Sequence, residues 1–574
     1  MEVKCERLAP LVDRVKAIPP VGNSIYSYIE EERVKAYLPF THQFVSNLLT
    51  KRKVSEWNTG GYFIASQTGS GKSTLIKEVI APVAIDRGAR VLLIVPRVAL
   101  AMQYKRELAL EYCPQVLEEL KDPGINKRSS WGPVDVYSLQ SLGNGGKREE
   151  ILKKCSSYDF VLLDEVQAYT VDATFNPLTE EIFRFLICQV GKSCKRVYLT
   201  ATPDIILEEV AQMEAEVLGR PLPERNLKGD FKEEVYLTLF QFQFDYHYLV
   251  PNFFEKEETL FQRLKEISVD EKAVIFVRSK SQGLRLQEKL GGRERAIYMD
   301  AANKNATEEE AFSELITENS FKQQFLIATR FLDVGVNLKD FNIKHVAIFH
   351  RFKEDVVQML GRKRIMSKDV VNLYVEVPKY TKLLSEIEQL QESYKELQRV
   401  KSRCQYQDSW WYDELPLPLF LCKNKGKQEI RYSMFCFYIN KYHTKQLHDY
   451  IRGCENEWEY YKKFVQTVLS WFPGHKEAID LEKAGKNILP LKGEIECFLE
   501  PYADKELTRE ETLGLSNQLL KLMKVDRRPA ERESISLANI RNFFQKSGIA
   551  YGIYNQSRKG RKGLWVVRKG VWQK

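Results

Sequence analysis

The sequence predicts an α/β protein built from two tandem open parallel-sheet domains, followed by a mainly α C-terminal region with a winged-helix end. Three observations carry that expectation. Short apolar runs alternate with longer amphipathic stretches over the first two thirds of the chain. A glycine-rich loop directly follows the first of these runs, and the texture changes to helical periodicity near Thr381.

The elements follow in order. Residues 1–35 read as an N-terminal extension; MEVKCERLAPLVDRVK alternates charged with apolar residues, so no signal peptide is expected. A first domain over 36–218 carries buried strands at 61–65 (GYFIA), 91–95 (VLLIV), 160–163 (FVLL) and 196–199 (RVYL). A linker at 219–234 is marked by Gly219, Pro221 and Pro223. The second domain, 235–380, carries strands at 273–277 (AVIFV), 325–328 (FLIA), 345–349 (HVAIF) and 370–375 (VVNLYV). In the accessory region, 381–530, Leu383, Ile387, Leu390, Tyr394 and Leu397 line one face of a helix that packs on its own protein. The tail, 531–574, offers a short helix at 536–546, then two strand-like runs flanking the basic turn SRKGRKG, with Trp565 and Val567 facing inward.

Composition bounds the function. In 574 residues, 44% hydrophobic and 29% charged, there is material for about three to five domains and no collagen-like, mucin-like or wholly disordered reading survives. Lys and Arg outnumber Asp and Glu by 87 to 78, a surplus of +9 that permits a polyanionic partner without demanding one. No apolar run reaches the roughly 18–20 residues of a membrane span, so a cytoplasmic protein is expected. The ten cysteines form no Cys-x-x-Cys pair, which argues for reduced thiols rather than zinc or a disulfide framework.

The strongest chemical signal is Ser66, Gln67, Thr68, Gly69, Ser70, Gly71, Lys72 and Ser73, with Thr74 opening a helical stretch. Small residues between a strand and a helix let backbone N–H groups close around a phosphate. Lys72 then places a charge on the terminal phosphates and Ser73 offers a hydroxyl to Mg²⁺. A partner for that cation is expected at the end of another buried strand, and Asp164-Glu165 follows FVLL there. Asp164 would hold the ion while Glu165 orients and deprotonates water.

These segments resemble the superfamily-two helicases, the DEAD/DEAH-like and restriction-type group. SQTGSGKS is similar to their first motif and DEVQ, 164–167, to their second, with Gln167 in place of the usual Asp or His. PRVALAMQ (96–103) and VYSLQSL (136–142) resemble strand-gripping segments, and Thr200-Ala-Thr202-Pro resembles the third, coupling motif. VIFVRSK (274–280), TRFLDVGVN (329–337) and QMLGRKR (358–364) resemble the fourth, fifth and sixth.

The resemblance implies two RecA-like domains with ATP and Mg²⁺ in the cleft between them and a nucleic acid across their top. It implies Gln43, Asp333 and Gly335 at the nucleotide, and Gln358, Arg362 and Arg364 at the transferred phosphate. It implies Arg97, Gln103, Ser138, Gln140, Arg278 and Thr329 on the polymer, with Gln167, Thr200 and Thr202 coupling hydrolysis to movement. The sixth motif departs from the group, whose arginines stand three apart; here Arg362 and Arg364 stand two apart. In the tail, Arg558, Lys559, Arg561 and Lys562 suit phosphate contacts. The expected function is therefore an ATP-dependent helicase or translocase, with DNA favoured over RNA. An RNA helicase, a motor subunit of a restriction or defence complex and a nucleic-acid-binding scaffold are the alternatives.

Overall fold

The computed structural model describes residues 29–34, 44–119, 122–143, 145–219, 237–242, 244–300, 318–330, 337–365, 369–405, 417–424, 427–481, 498–508, 551–558 and 561–569, with Leu315 and six positions between 511 and 519 besides. In the first sheet lie β1 (Ile29–Val34), β2 (Gly60–Ala65), β3 (Arg90–Val95), β4 (Ser130–Trp131), β5 (Val134–Ser138), β6 (Tyr158–Asp164), β7 (Lys195–Thr200) and β8 (Leu237–Phe242). Their order is β1-β8-β2-β7-β6-β3-β5-β4, parallel throughout except for the β4–β5 pair. Both faces are covered, which is why the strands read as near-continuous apolar runs. Phe63, Val161 and Leu163 enter one core, while Ile64, Phe160 and Leu162 enter the other.

A second sheet holds β9 (Leu249–Phe254), β10 (Lys272–Phe276), β11 (Ala296–Met299), β12 (Phe325–Ala328), β13 (Ile343–Ile348) and β14 (Val371–Glu376). Its order, β11-β12-β10-β13-β14-β9, is parallel throughout. All eight strands expected from the sequence are present. Two features differ from the expected boundaries. β8 pairs with β2 and β1, so the second unit begins after Phe242 rather than at 235. The extension supplies β1 as an edge strand of the first sheet. Residues 220–234 of the expected linker lie outside the described residues.

The C-terminal region is largely helical and ties the two sheets together. A helix at Tyr380–Gln405 buries Leu383 and Ile387 in the second-domain core and Leu397 in the first-domain core. At about 1.5 Å per residue it is long enough for that crossing. Beyond the hairpin of β15 (Leu419–Asn424) and β16 (Lys427–Tyr432), a second helix, Met434–Ile451, does the same with polar contacts. Glu180 of the first domain accepts from the backbone N–H groups of Met434 and Phe435 at its N-terminus. Further along, His443 lies 2.6 Å from Glu354 and Tyr450 donates to the Arg351 carbonyl at 2.6 Å, both in the second domain. The helix Glu457–Ser470 packs beside it, and β17 (Ile479–Asp480) extends the second sheet next to β9.

At the end of the chain, β18 (Glu506–Leu507), β19 (Tyr551–Arg558) and β20 (Arg561–Lys569) form an antiparallel sheet with Val567 buried. The β19–β20 pair is the expected hairpin. The expected helix at 536–546, and with it the winged-helix assignment, lies outside the described residues.

Candidate active site

In a parallel sheet every strand ends at the same edge, and ligands collect in the crevice there. β2, β6 and β7 are neighbours, so the loop after Ala65, the acids at the end of β6 and Thr200 at the end of β7 converge. The loop is built on two left-handed glycines, Gly69 at φ +80° and Gly71 at φ +85°. Gly71 has a second constraint, since a Cβ there would stand 2.9 Å from Phe44. Helix then runs from Lys72 to Asp86 with a π turn at Leu75–Ile80, where Ala81 N–H reaches back to Ile76. That wider turn precedes Pro82, which has no N–H to give an α-helical ladder.

Lys72 is buried and folded onto its own loop, donating to the carbonyls of Ser66 at 3.2 Å and Gln67 at 3.3 Å. Burial pulls its pKa down, with Glu165 and Asp164 opposing. Gln67 faces elsewhere: its amide grips the Asp245 backbone in both directions, at 3.1 and 3.3 Å, where the chain passes between the two sheets. Ser73 Oγ lies 3.0 Å from the Tyr104 hydroxyl, and that hydroxyl donates to Asp164 Oδ2 at 2.7 Å. The two groups expected to share a divalent cation thus converge on one point, so this donor set suits Mg²⁺.

Asp164 is buried and its neighbour Glu165 is partly buried beside it. Burial first, and the Glu165 charge second, push the Asp164 pKa up to about 6. Burial would raise Glu165 too, but Lys72, Arg362 and two amide donors hold it below the usual carboxylate range. Glu165 adopts φ +49°, a left-handed conformation that costs a non-glycine residue about 1–2 kcal/mol. Strain of this kind is kept where it aims a side chain. Here it delivers Oε2 to Gln167 Nε2 at 3.0 Å and to Gln358 Nε2 at 3.1 Å. Gln167 in turn accepts from Thr200 Oγ1 at 2.7 Å, and Thr200 accepts from the Thr202 N–H at 2.9 Å. Gln167 therefore joins the second and third motifs directly.

From the second domain, Gln358 lies in the last turn of the helix Lys353–Leu360 and also accepts from Arg362 Nη2 at 3.0 Å. A continuous chain of polar contacts runs Thr200–Gln167–Glu165–Gln358–Arg362 across the cleft. Beyond Leu360 the backbone pairs with Leu338: Leu338 N–H donates to the Arg362 carbonyl and Arg364 N–H to the Leu338 carbonyl, each at 2.8 Å. Gly361 and Arg362 form a turn, with Arg362 N–H on the Met359 carbonyl and Lys363 N–H on the Leu360 carbonyl, and Lys363 alone bridges to Leu338. Arg362 and Arg364 flank that bridge and both face the cleft, while Lys363 turns away to Asp369 at 3.0 Å. Arg364 Nη1 lies beside Gly69 of the phosphate loop, and its Nε donates to Asn337 Oδ1 at 2.8 Å. Burial, then the neighbouring Arg362, lowers the Arg364 pKa to about 10. Asn337 completes a second bridge by donating to Gln103 Oε1 at 3.3 Å. A cavity of about 40 Å³, lined by Glu165, Gln167, Gln358 and Arg362 among others, has room for ordered water beside the acid.

The residues expected on the polymer are more dispersed. Arg97 is paired with Asp172 and faces the same cavity as Glu165. Ser138 caps the turn after β5 by accepting from Ser141 N–H, and Gln140 beside it is exposed. Arg278 follows β10 and pairs with Glu376 and Glu386; Thr329 follows β12 with its N–H on the Met299 carbonyl. All lie at the carboxyl edge of their sheets. Gln43, Asp333, Gly335 and Lys559 lie outside the described residues, as do the side chains of Arg558, Arg561 and Lys562. Sequence reasoning missed Tyr104, whose spacing with Ala101 and Leu108 reads as plain core, and Asn337, which carries no charge to mark it.

A phosphate loop and paired acids on one parallel sheet, faced by arginines from a second, define a two-domain ATP-hydrolysing motor. Two family models match the chain in tandem: the type III restriction enzyme res subunit over residues 37–205, and the helicase conserved C-terminal domain over 255–364. Those two matched segments give the chain the tandem domains of a superfamily-two helicase of the restriction-type, DExH-like kind, and with them the ATP-using machinery of a nucleic-acid helicase or translocase. No curated protein matches it. Similar solved structures include Mss116p bound to ssRNA and AMP-PNP, at 14% identity and a TM-score of 0.41, covering 58% of this chain and 69% of that one. Dbp5 of S. cerevisiae bound to RNA and ADP BeF3 is 13% identical, with a TM-score of 0.35 over 55% of this chain and 79% of that one. The helicase Lhr of Mycobacterium smegmatis bound to ssDNA and AMP-PNP is 18% identical, with a TM-score of 0.35 over 59% of this chain and 46% of that one. Among the described residues no helix is long and apolar enough to cross a membrane.

Proposed function

We propose that this protein is a Mg²⁺-dependent, cytoplasmic ATPase that moves along a DNA strand and separates duplex where its C-terminal region obstructs the second strand. The observation that carries the reading is the position of Glu165, whose Oε2 accepts one amide from each domain. Both donors land on the same oxygen, which leaves Oε1 to accept a proton from the attacking water. Because one of those amides belongs to Gln358, the base is aligned only when the domains are apposed. Hydrolysis and domain movement are thereby one event.

The remaining roles follow from position. The loop at Ser66–Ser73 cradles the phosphates, and Lys72 exchanges its two carbonyl partners for the terminal phosphate oxygens. Arg362 and Arg364 meet the charge that develops on the transferred group. Mg²⁺ held by Ser73 and Asp164 would supply further neutralisation of the phosphate oxygens. Gln167, Thr200 and Thr202 pass the state of Glu165 into the first domain. DNA is favoured by the restriction-type kind of the first domain and by the terminal hairpin, whose basic tip suits duplex phosphates.

The test is ATP turnover with single-stranded DNA, duplex DNA, RNA or no polymer. Single-stranded DNA is expected to stimulate turnover well above RNA. Stimulation by RNA alone would reassign the substrate, and turnover indifferent to every polymer would refute the motor reading.

A further inference from the structure

Tyr104 lies on the helix Val98–Tyr112, one residue past Gln103, and is only 2% exposed. Its ring fills the apolar space between that helix and the first sheet, together with Leu108 and Ala101. Its hydroxyl does something the packing does not require. It stands between Asp164 Oδ2, at 2.7 Å, and Ser73 Oγ, at 3.0 Å.

The proton count fixes the direction of both bonds. An ionised carboxylate can only accept, so the single phenolic proton is committed to Asp164. Ser73 must then donate its own proton to the phenolic oxygen. With its proton so placed, the lone pairs of Ser73 Oγ point away from Tyr104, toward the mouth of the phosphate loop where a cation would sit on the nucleotide. The phenol also fixes the rotation of the Asp164 carboxylate, whose Oδ1 accepts from the Glu165 N–H at 3.0 Å.

We propose that Tyr104 is a positioning residue for the divalent cation, relaying Ser73 to Asp164 so that both oxygens are aimed before the cation arrives. The inference rests on the nucleotide reading above and deepens it. It gives the helix whose Gln103 bridges to Asn337 of the second domain a role at the nucleotide as well.

The test is the affinity of a fluorescent ATP analogue for the full chain, measured over a Mg²⁺ series with wild type and Tyr104→Phe. Phenylalanine keeps the ring and its packing, so equal thermal midpoints are expected. In EDTA the two proteins should bind the analogue equally. The Mg²⁺ needed for half-maximal tightening should rise at least about ten-fold in the variant, the scale of a lost hydrogen bond to a charged group. Excess Mg²⁺ should restore turnover. Because Tyr104 acts partly through Ser73 and partly through Asp164, the losses from Ser73→Ala and Tyr104→Phe should be less than additive in the double variant. Superimposable Mg²⁺ curves, a curve shifted to lower Mg²⁺, or additive losses would each overturn the inference and leave the nucleotide reading intact. Wild-type binding that ignores Mg²⁺ would overturn both.

Discussion

Gly361→Ala tests the apposed cleft with a single methyl group. Gly361 ends the helix Lys353–Leu360 at φ −64°, ψ −12°, ordinary helical values that alanine adopts without strain. The second domain alone should therefore tolerate the change. Across the cleft it should not: an added Cβ would stand 2.2 Å from Thr68 Oγ1 and 2.6 Å from both Thr68 Cβ and Cγ2. Ordinary contact begins near 3.4 Å, so the phosphate loop and the sixth motif must separate by roughly 1.2 Å, the difference of 3.4 and 2.2. Misplacing reacting groups by about 1 Å costs on the order of 10²-fold in rate. Polymer-stimulated kcat should fall by about that factor while affinity for an ATP analogue, which the first domain holds, changes little. Thr68→Gly removes all three clashing atoms, so Gly361→Ala should cost far less activity in the Thr68→Gly background than in wild type. Wild-type kcat in Gly361→Ala would show that the domains do not meet this closely during turnover.

Glu165→Gln should keep ATP binding and lose about 10²–10⁴-fold in turnover, as single-turnover kinetics would register; near-normal turnover would remove Glu165 from the base role. Arg364→Ala and Arg362→Ala should each lower kcat by up to about 10³ with little change in nucleotide affinity. A fully active Arg364 variant would remove that arginine from the transferred phosphate. Gly61→Ala places a Cβ 2.6 Å from Glu214 Cδ and 2.8 Å from Leu237 Cδ1. It should push Glu214 off Arg196, a fully buried pair at 2.7 Å, and lower stability by about 3 kcal/mol or more in urea titration. An unshifted urea midpoint would show that the first sheet has slack where none is expected.

Much of the fold was legible because parallel strands covered on both faces leave an unmistakable apolar record. All eight expected strands are present, several within a residue or two of their expected ends. β5 escaped notice because Asp135 interrupts VDVYS; the carboxylate is buried but satisfied by Arg90, Ser130 and Tyr158. β8 was assigned to the wrong unit because it follows a polar stretch, and a strand's return to an earlier sheet is decided by tertiary pairing that local pattern does not encode. The long helix was read correctly from the spacing of Leu383, Ile387 and Leu397. That its two ends serve different cores could not be read, since periodicity reports a face and not its partner. Tyr104 shows the same limit at atomic scale: its ring obeys the helical pattern of a core residue, and only its hydroxyl differs.

Each of the two departures from the family pattern has a physical reason of its own. In a helix, arginines three apart would share a face. The helix of the sixth motif stops at Leu360, however; Gly361 and Arg362 turn, Lys363 bridges to Leu338, and the residues on either side of that bridge share a side. Arg362 and Arg364 thus satisfy the same requirement by a different backbone. Gln167, standing where a charged or ionisable residue is usual, makes one donation to Glu165 and one acceptance from Thr200. A carboxylate could accept from Thr200 but would repel Glu165, and would have no proton to give it. An amide does both without adding charge to a pocket that already holds two acids, Lys72 and two arginines. Gln358 makes the matching donation from the other domain, so opening of the cleft would release one neutral donor and leave Glu165 still held by Gln167. On the proposed reading, an amide at that joint lets the domains part without stranding an ion, as a salt bridge there would.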